Sequence, residues 1–571
     1  MKRLLSLAVM FLCCAATTFA QFSGSGSGTE NDPYLILNPI HLNQLRNFLN
    51  TEGVYFKMMA DVDLTEYLED ENDQGWQPVG SSSSAVFKGI LDGNGKTISG
   101  LWINRGSNDN VGFFGYTTKA TVKNLTIVAN TIAGKSNVGG ISGYSDNSTF
   151  SNVSFSGKIQ GASNVGGVIG GSGDNLTMTD ITANVEVTAS GDYVGGLIGK
   201  NGAGSNLNVS GCHVNSSKIS GNNYVGGACG GIDGNHAYSN SLSSCYIYAD
   251  VSGKERVGGI CGYSGNFYHT VNLNNCGFVG NVNGTTRVGG LVGFLNKTSQ
   301  IYNDAQNNCF AIGSVTATGD YAGGLIGYDK GYKNNVSNSY FSGTLSGQNY
   351  TAGLVGYKQH GTVLNCYTTA SVAGAKYVGG LVGYNDGPTT IKTSVAINTR
   401  VTATEGEVGR VVGYNLGSIP EMGATDENKS YNRTIIISQG VAQDIRDDQK
   451  NGTGVSYTTL KLKATYVAMG WNFTDSWEIQ ETECFPYFKT QTAPPVITSQ
   501  LVSRATTISG KCVDGGTVTL EVDGTKQQMV SAGHQFSFTV SPLQAEHAVR
   551  LSAKADGKEP SYYATQTVSY L

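Results

Sequence analysis

Between residues 111 and 413, apolar and polar positions follow a pattern that recurs about every thirty residues. Each copy centres on a hexapeptide of one apolar residue, two glycines, two apolar residues and a last glycine. It is spelled VGGLVG at 288–293 and again at 378–383. Aligned on the last glycine, the copies end at Gly115, Gly143, Gly170, Gly199, Gly230, Gly262, Gly293, Gly327, Gly356, Gly383 and Gly413, at intervals of 28, 27, 29, 31, 32, 31, 34, 29, 27 and 30. Short apolar or alternating runs flank each copy, such as LNCY (364–367) and ASV (370–372), and Gly or Asn turns separate them. Helical repeats of this length need amphipathic helices of ten or more residues, which central glycine pairs would weaken. Two or three short strands per period predict one rung of a parallel β-helix. Eleven rungs at the usual strand spacing stack to roughly 50 Å. Each glycine pair lets the backbone turn tightly or approach the neighbouring rung, where a Cβ would clash.

The fold class expected is all-β: a parallel β-helix solenoid of about eleven repeats with N- and C-terminal caps, followed by a small β-sandwich. An open end rung leaves unpaired strand edges, so caps are required. Residues 39–50, PIHLNQLRNFLN, place Ile40, Leu42, Leu45, Phe48 and Leu49 near helical spacing after a leading Pro, which predicts a short capping helix. A second short helix is expected within 458–471. Ala493-Pro494-Pro495 marks a linker, after which apolar and polar residues alternate between Asp-Gly turns, the pattern of a β-sandwich. The divisions are a signal peptide at 1–20, an entry segment at 21–105, the repeats at 106–420, a closing segment at 421–490 and an immunoglobulin-like β-sandwich at 491–571.

The first twenty residues have the composition of a secretory signal. Lys2 and Arg3 start it, Leu4 to Leu12 are mainly apolar, and Thr18-Phe19-Ala20 supplies a small-x-small cleavage site, so cleavage is expected after Ala20. The residues before Cys13 and Cys14 lack the small side chains of a lipidation site. No later stretch approaches the ~18 apolar residues of a membrane span. The chain is therefore expected to be exported, to the extracellular space or the outer cell surface. Removing Lys2 and Arg3 turns 37 basic against 42 acidic residues into 35 against 42, a net charge of −7. That balance argues against nucleic acid or an anionic membrane as the main partner.

A second register follows the hexapeptides. Cys212, Cys245, Cys276 and Cys309 recur at intervals of 33, 31 and 33, and Ser339 and Cys366 take the same place further on. They are read as an inward column of small, buried free thiols rather than as disulfides. Nine cysteines remain after residue 20, so at least one is unpaired; Cys229 and Cys261, at equivalent places on adjacent rungs, are the nearest local pair.

Hexapeptides of this kind, each followed by a turn and a strand such as Val363-Leu364-Asn365-Cys366, resemble the GLUG motif of bacterial secreted and surface proteins, among them adhesin-like proteins and some immunoglobulin-A peptidases. GTENDPYLI (28–36), YFKMMADVDL (55–64) and FKGILDGNGKTISGL (87–101) resemble the family's entry, and GWNFTDSWEI with CFPYF (470–488) its closing segment. The C-terminal stretch is similar to bacterial immunoglobulin-like modules. The resemblance implies a shared scaffold more than a shared chemistry.

Chemistry is sparse in the sequence. There is no HExxH, no G-x-S-x-G, and no histidine pair at metal-ligand spacing, so no catalytic residue, metal site or cofactor is assigned. Parallel β-helices host polysaccharide lyases and glycoside hydrolases that use clustered carboxylates, and such an enzyme is the alternative reading. Asp192 and Asp320 lie four rungs apart, roughly 19 Å, too far for a catalytic pair. Asp61 and Asp63 are expected to cap turns.

The stronger pattern is a pair of ladders. After the last glycine come Tyr116, Tyr144, Gly171, Lys200, Gly231, Tyr263, Phe294, Tyr328, Tyr357, Tyr384 and Tyr414. Just before the hexapeptide come Asn110, Asn137, Asn164, Tyr193, Tyr224, Arg256, Arg287, Tyr321, Tyr350, Tyr377 and Glu407. In-register parallel strands stack like residues, and Asn or aromatic ladders stabilise such stacks, so a structural role is the plain reading. Arg256 and Arg287, one rung apart, bring like charges together without an evident benefit to the fold. Rings stack on sugar faces and guanidinium groups hold carboxylates or sulfates. Tyr224, Arg256, Arg287, Tyr321, Tyr350 and Tyr377 are therefore the expected ligand strip of an adhesin or glycan-binding platform, with a glycan or host cell-surface macromolecule as partner.

Overall fold

The computed structural model describes residues 22–69, 73–202, 206–233, 239–265, 270–296, 305–331, 334–419 and 427–570. The expected signal peptide lies outside them. The repeats form a parallel β-solenoid. A representative rung runs through Asn223–Gly226, Cys229–Asp233, Ser239–Ser243 and Tyr246–Ser252. The next rung pairs with it in parallel and in register, Val225 with Val257, Cys229 with Cys261, Leu242 with Leu273 and Tyr246 with Gly277. The first strands of the rungs make a ten-stranded sheet, the second strands an eleven-stranded sheet, and the rest belong to a 27-stranded sheet.

That large sheet is bent along one column of left-handed residues. In the early rungs a single long strand, such as Thr149–Gly161, crosses the bend at Asn152 (φ 51°); later rungs break there, as at Asn275 (φ 53°) before Cys276. Asn tolerates this conformation better than most residues, which explains its frequency before the cysteine column. A rung thus has three or four strands rather than the two or three expected.

The glycines act through close approach. Among the described residues no hexapeptide glycine has positive φ. A Cβ on Gly166 would lie 1.9 Å from Ile169 O, one on Gly167 2.1 Å from Gly196 O of the next rung, and one on Gly170 2.3 Å from Val138 N of the rung before. The three glycines clear space along the strand, above it and below it, so the strands fit only without side chains there.

Inside, Val, Ile, Leu and Phe fill one continuous core that runs from Phe22 to Ile436. Cys212, Cys245, Cys276, Cys309 and Cys366 have no exposed surface, and all nine described cysteines are free, Cys229 and Cys261 included. Each thiol of the column donates to the carbonyl two residues earlier, for example Cys276 Sγ to Asn274 O at 3.4 Å.

At the N-terminal end, Pro39–Asn43 is α-helical and Gln44–Phe48 continues as a 3₁₀ turn, with Asn38 accepting from His41 N. Leu42, Leu45 and Phe48 join the solenoid core. At the other end the hexapeptide reads VGRVVG. Arg410 occupies the place of the second glycine, where, among the described residues, no further strand of that sheet follows. Its guanidinium, 2% exposed, donates to Asp447 Oδ1 at 2.7 Å and Gly452 O at 3.2 Å, while Val411 N and Val412 N donate to Lys450 O.

The chain then returns along the outside of the solenoid. A 3₁₀ turn at Thr459–Lys461 and a helix at Lys463–Val467 lead to a two-stranded hairpin of Trp477–Glu478 with Tyr487–Phe488. Trp471, Trp477 and Phe488 cover Phe310, Tyr340 and Tyr367 on the solenoid flank. Beyond 493 two antiparallel sheets of three and four strands enclose a separate cluster that includes Ile508, Leu520, Phe538 and Leu551.

Candidate functional site

The strip predicted from sequence lies on the edge between the ten- and eleven-stranded sheets. Tyr224, Arg256, Arg287, Tyr321, Tyr350 and Tyr377 stand one above another on consecutive rungs, each half-buried. Tyr193 stacks on Tyr224 at 4.4 Å between ring centroids and 3° between planes. The Arg256 guanidinium sits 4.7 Å over the Tyr224 ring, and that of Arg287 5.9 Å over Tyr321. Tyr321 stacks on Tyr350 at 4.9 Å, and Tyr350 on Tyr377 at 5.1 Å.

The second ladder closes against the first. Arg256 also lies 5.6 Å from the Phe294 ring centroid and Arg287 5.3 Å from it. Tyr321 stacks on Tyr328 at 4.7 Å, and Tyr357 on Tyr384 at 5.2 Å with planes 1° apart. Where the second ladder has Gly231 the ring of Tyr193 takes the space, since a Cβ there would meet it at 2.7 Å. From Tyr193 to Tyr414 the two ladders make one face of rings and cations over eight rungs, about 34 Å at the strand spacing.

Electrostatics explains how the two arginines coexist. Glu255 Oε2 lies 3.4 Å from Arg256 Nη1 and 3.2 Å from Arg287 Nη1, so one carboxylate bridges both cations. The Nε atoms of both arginines are buried without a hydrogen-bond partner. Two guanidinium groups thus share one carboxylate, and further along the face Asp386 Oδ2 accepts from Tyr357 Oη at 2.6 Å. Burial raises the phenol pKa of Tyr193, Tyr321 and Tyr350, so the rings carry neutral hydroxyls.

The backbone of this column is left-handed, a feature the ladder pattern alone does not reveal. Tyr193, Tyr224, Arg256, Arg287, Tyr321, Tyr350 and Tyr377 all have φ between 57° and 67°. Left-handed backbone costs roughly 1–2 kcal/mol for an ordinary L-residue. Asn110, Asn137 and Asn164 hold the same corner in the first rungs, where Asn137 Nδ2 donates to Asn110 Oδ1 and Asn164 Nδ2 to Asn137 Oδ1, each at 2.9 Å. The signal was present: Asn at this corner in three successive copies marks a left-handed site.

The acids considered for catalysis lie elsewhere. Asp192 Oδ1 accepts from Asn222 Nδ2 and from Asn223, and Asp320 Oδ1 accepts from Asn349, so each ties its turn to the next rung. Asp63 Oδ1 accepts from Thr65 N, and Asp61 Oδ1 from Thr97 N. An open groove of about 460 Å³ beside Trp102, Asn130 and Gln160 contains no titratable lining group.

Comparison with known proteins gives two partial relatives. Over 112 residues, 19% of this chain, it is 40% identical to a protein of Evansella cellulosilytica named "Putative Gly-rich membrane protein". Over 131 residues, 23% of this chain, it is 34% identical to halomucin of Haloquadratum walsbyi. The matched stretches span 12% and 1% of those two proteins. No family model and no solved structure matches the chain. Among the described residues no helix is long and apolar enough to cross a membrane.

Proposed function

We propose that this chain is an exported surface protein of the GLUG-repeat type that binds glycans along the Tyr–Arg face of its solenoid, the C-terminal antiparallel sheets forming an immunoglobulin-like module. The observation that carries the reading is the left-handed column. Replacing Asn by Tyr or Arg there costs roughly 1–2 kcal/mol per residue in backbone energy. Ring stacking and cation–π contact return about 0.5–1.5 kcal/mol per pair. The exchange brings no clear gain over an Asn ladder that already satisfies its own hydrogen bonds. Strain kept without benefit to the fold is a mark of a functional site.

The rings stack face to face, so they turn edges and neutral hydroxyls outward as partners for sugar hydroxyls, and the two guanidinium groups favour glycans bearing carboxylate or sulfate. One partial relative is named a membrane protein and the other a halomucin, which agrees with a place at the cell envelope. The test is a glycan array on residues 21–571 and on the variant Arg256→Asn with Arg287→Asn, where Asn suits the left-handed corner. Acidic glycans bound by the first and lost by the second support the reading; an array without signal for either overturns it.

A further inference from the structure

A second cluster lies inside the solenoid, independent of the outer face. The second residue after each hexapeptide points into the core, and in most rungs it is small, apolar or an amide, as at Ser145, Ser172 and Asn385. On two adjacent rungs it is Asp329 and Lys358, which face each other in register with no exposed side-chain surface. Lys358 Nζ donates to Asp329 Oδ2 at 2.5 Å and to the backbone carbonyl of Asn334 at 3.0 Å. Asn334, equally buried, donates its side-chain amide to the same Asp329 Oδ2 at 2.8 Å, and its Oδ1 has no hydrogen-bond partner.

One carboxylate oxygen thus touches an amine and a carboxamide at once, in a site without water access. Shut off from water, the amine and the carboxylate share one hydrogen bond, and that bond is the path along which Nζ can give up a proton. A neutral lysine amine is a nucleophile, and a carboxylic acid between it and an amide nitrogen is placed to shuttle protons.

We propose that Lys358 and Asn334 form an intramolecular isopeptide bond that staples adjacent rungs, with Asp329 as the proton shuttle. The Nζ lone pair adds to Cγ of Asn334 and the Nζ–Cγ bond forms. Asp329 takes the proton from Nζ and gives it to Nδ2, the Cγ–Nδ2 bond breaks, and ammonia leaves. No oxidant, reductant or further reactant is needed. Asp329 is ionised again at the end, ammonia having carried off the proton as ammonium.

The test is peptide mass spectrometry of the purified, folded chain after denaturation and trypsin digestion. Cyclisation of an N-terminal glutamine also releases ammonia, so the assignment is made on peptides and not on the intact mass. The bond predicts loss of cleavage after Lys358 and a peptide spanning 334–376 that is lighter by one ammonia. In Asp329→Asn, which preserves the shape of the side chain, and in Asn334→Ala, the cut after Lys358 returns. Complete cleavage after Lys358 in the wild-type chain overturns the proposal, and so does loss of water with the link at residue 329.

Discussion

Among the described residues the solenoid carries one aromatic ladder roofed by a later segment and, on another face, two that pack against each other. Phe310, Tyr340 and Tyr367 follow the cysteine column, stack at 5.8 and 4.8 Å, and lie beneath Trp471, Trp477 and Phe488. Their polar ends are satisfied by the cover: Tyr367 Oη donates to Pro486 O at 2.6 Å, and Gln491 Nε2 donates to Tyr340 Oη at 2.5 Å. Tyr321, Tyr350 and Tyr377 stack with similar spacing but stay half-buried, flanked by Tyr328, Tyr357 and Tyr384 of the neighbouring ladder and by Lys376, and their backbone is strained. The covered ladder stands on ordinary backbone and is an interface within the molecule. The open ladder holds the same kind of rings at a conformational cost, which is the ground for proposing it as a binding surface.

Substitutions separate the two. Tyr340→Ala empties a fully buried site and removes the partner of Gln491, so chemical denaturation should show a loss of about 3–5 kcal/mol. Tyr350→Asn removes two stacking contacts but relieves the left-handed strain, so the same measurement should change by less than about 1 kcal/mol. Equal losses at the two positions would erase the distinction between the ladders. A smaller effect concerns how the C-terminal sheets hold to the flank. His213 Nε2 lies 3.8 Å from Glu559 Oε1, and that carboxylate raises the His213 pKa above 6.5. A pKa raised in the folded state means stability present below 6.5 and lost as pH rises through the folded value. The His side chain is 43% exposed and solvent screens the pair. Limited proteolysis near the 493–495 linker should therefore be slightly slower at about pH 6 than at about pH 8, and His213→Ala should flatten that dependence.

Much of this was legible because in-register stacking repeats a residue at a fixed interval. The period, the glycine clearances and the buried thiols of Cys212 to Cys366 all follow from one alignment. The strip from Tyr224 to Tyr377 was legible as a column for the same reason, whereas its left-handed backbone was visible only through Asn110, Asn137 and Asn164. The covered ladder was not readable as covered. Tyr367 and Pro486 are 119 residues apart, and local pattern does not say which outward column a distant segment will meet. The Asp329–Lys358 pair is not legible in the sequence because charged residues at a strand end ordinarily face water, whereas the register of Asp329 against Lys358 turns both inward. Arg410 can stand where other copies have glycine because, among the described residues, that sheet ends at Val408–Gly409.

The most direct test is calorimetric titration of an acidic oligosaccharide into the chain and into Arg256→Asn with Arg287→Asn, beside their denaturation curves. Binding that falls at least about tenfold, the equivalent of about 1.4 kcal/mol, while stability shifts by less than about 1 kcal/mol is the predicted result. Equal affinity in both proteins, or affinity lost only together with the fold, would contradict the assignment of the strip as a binding surface.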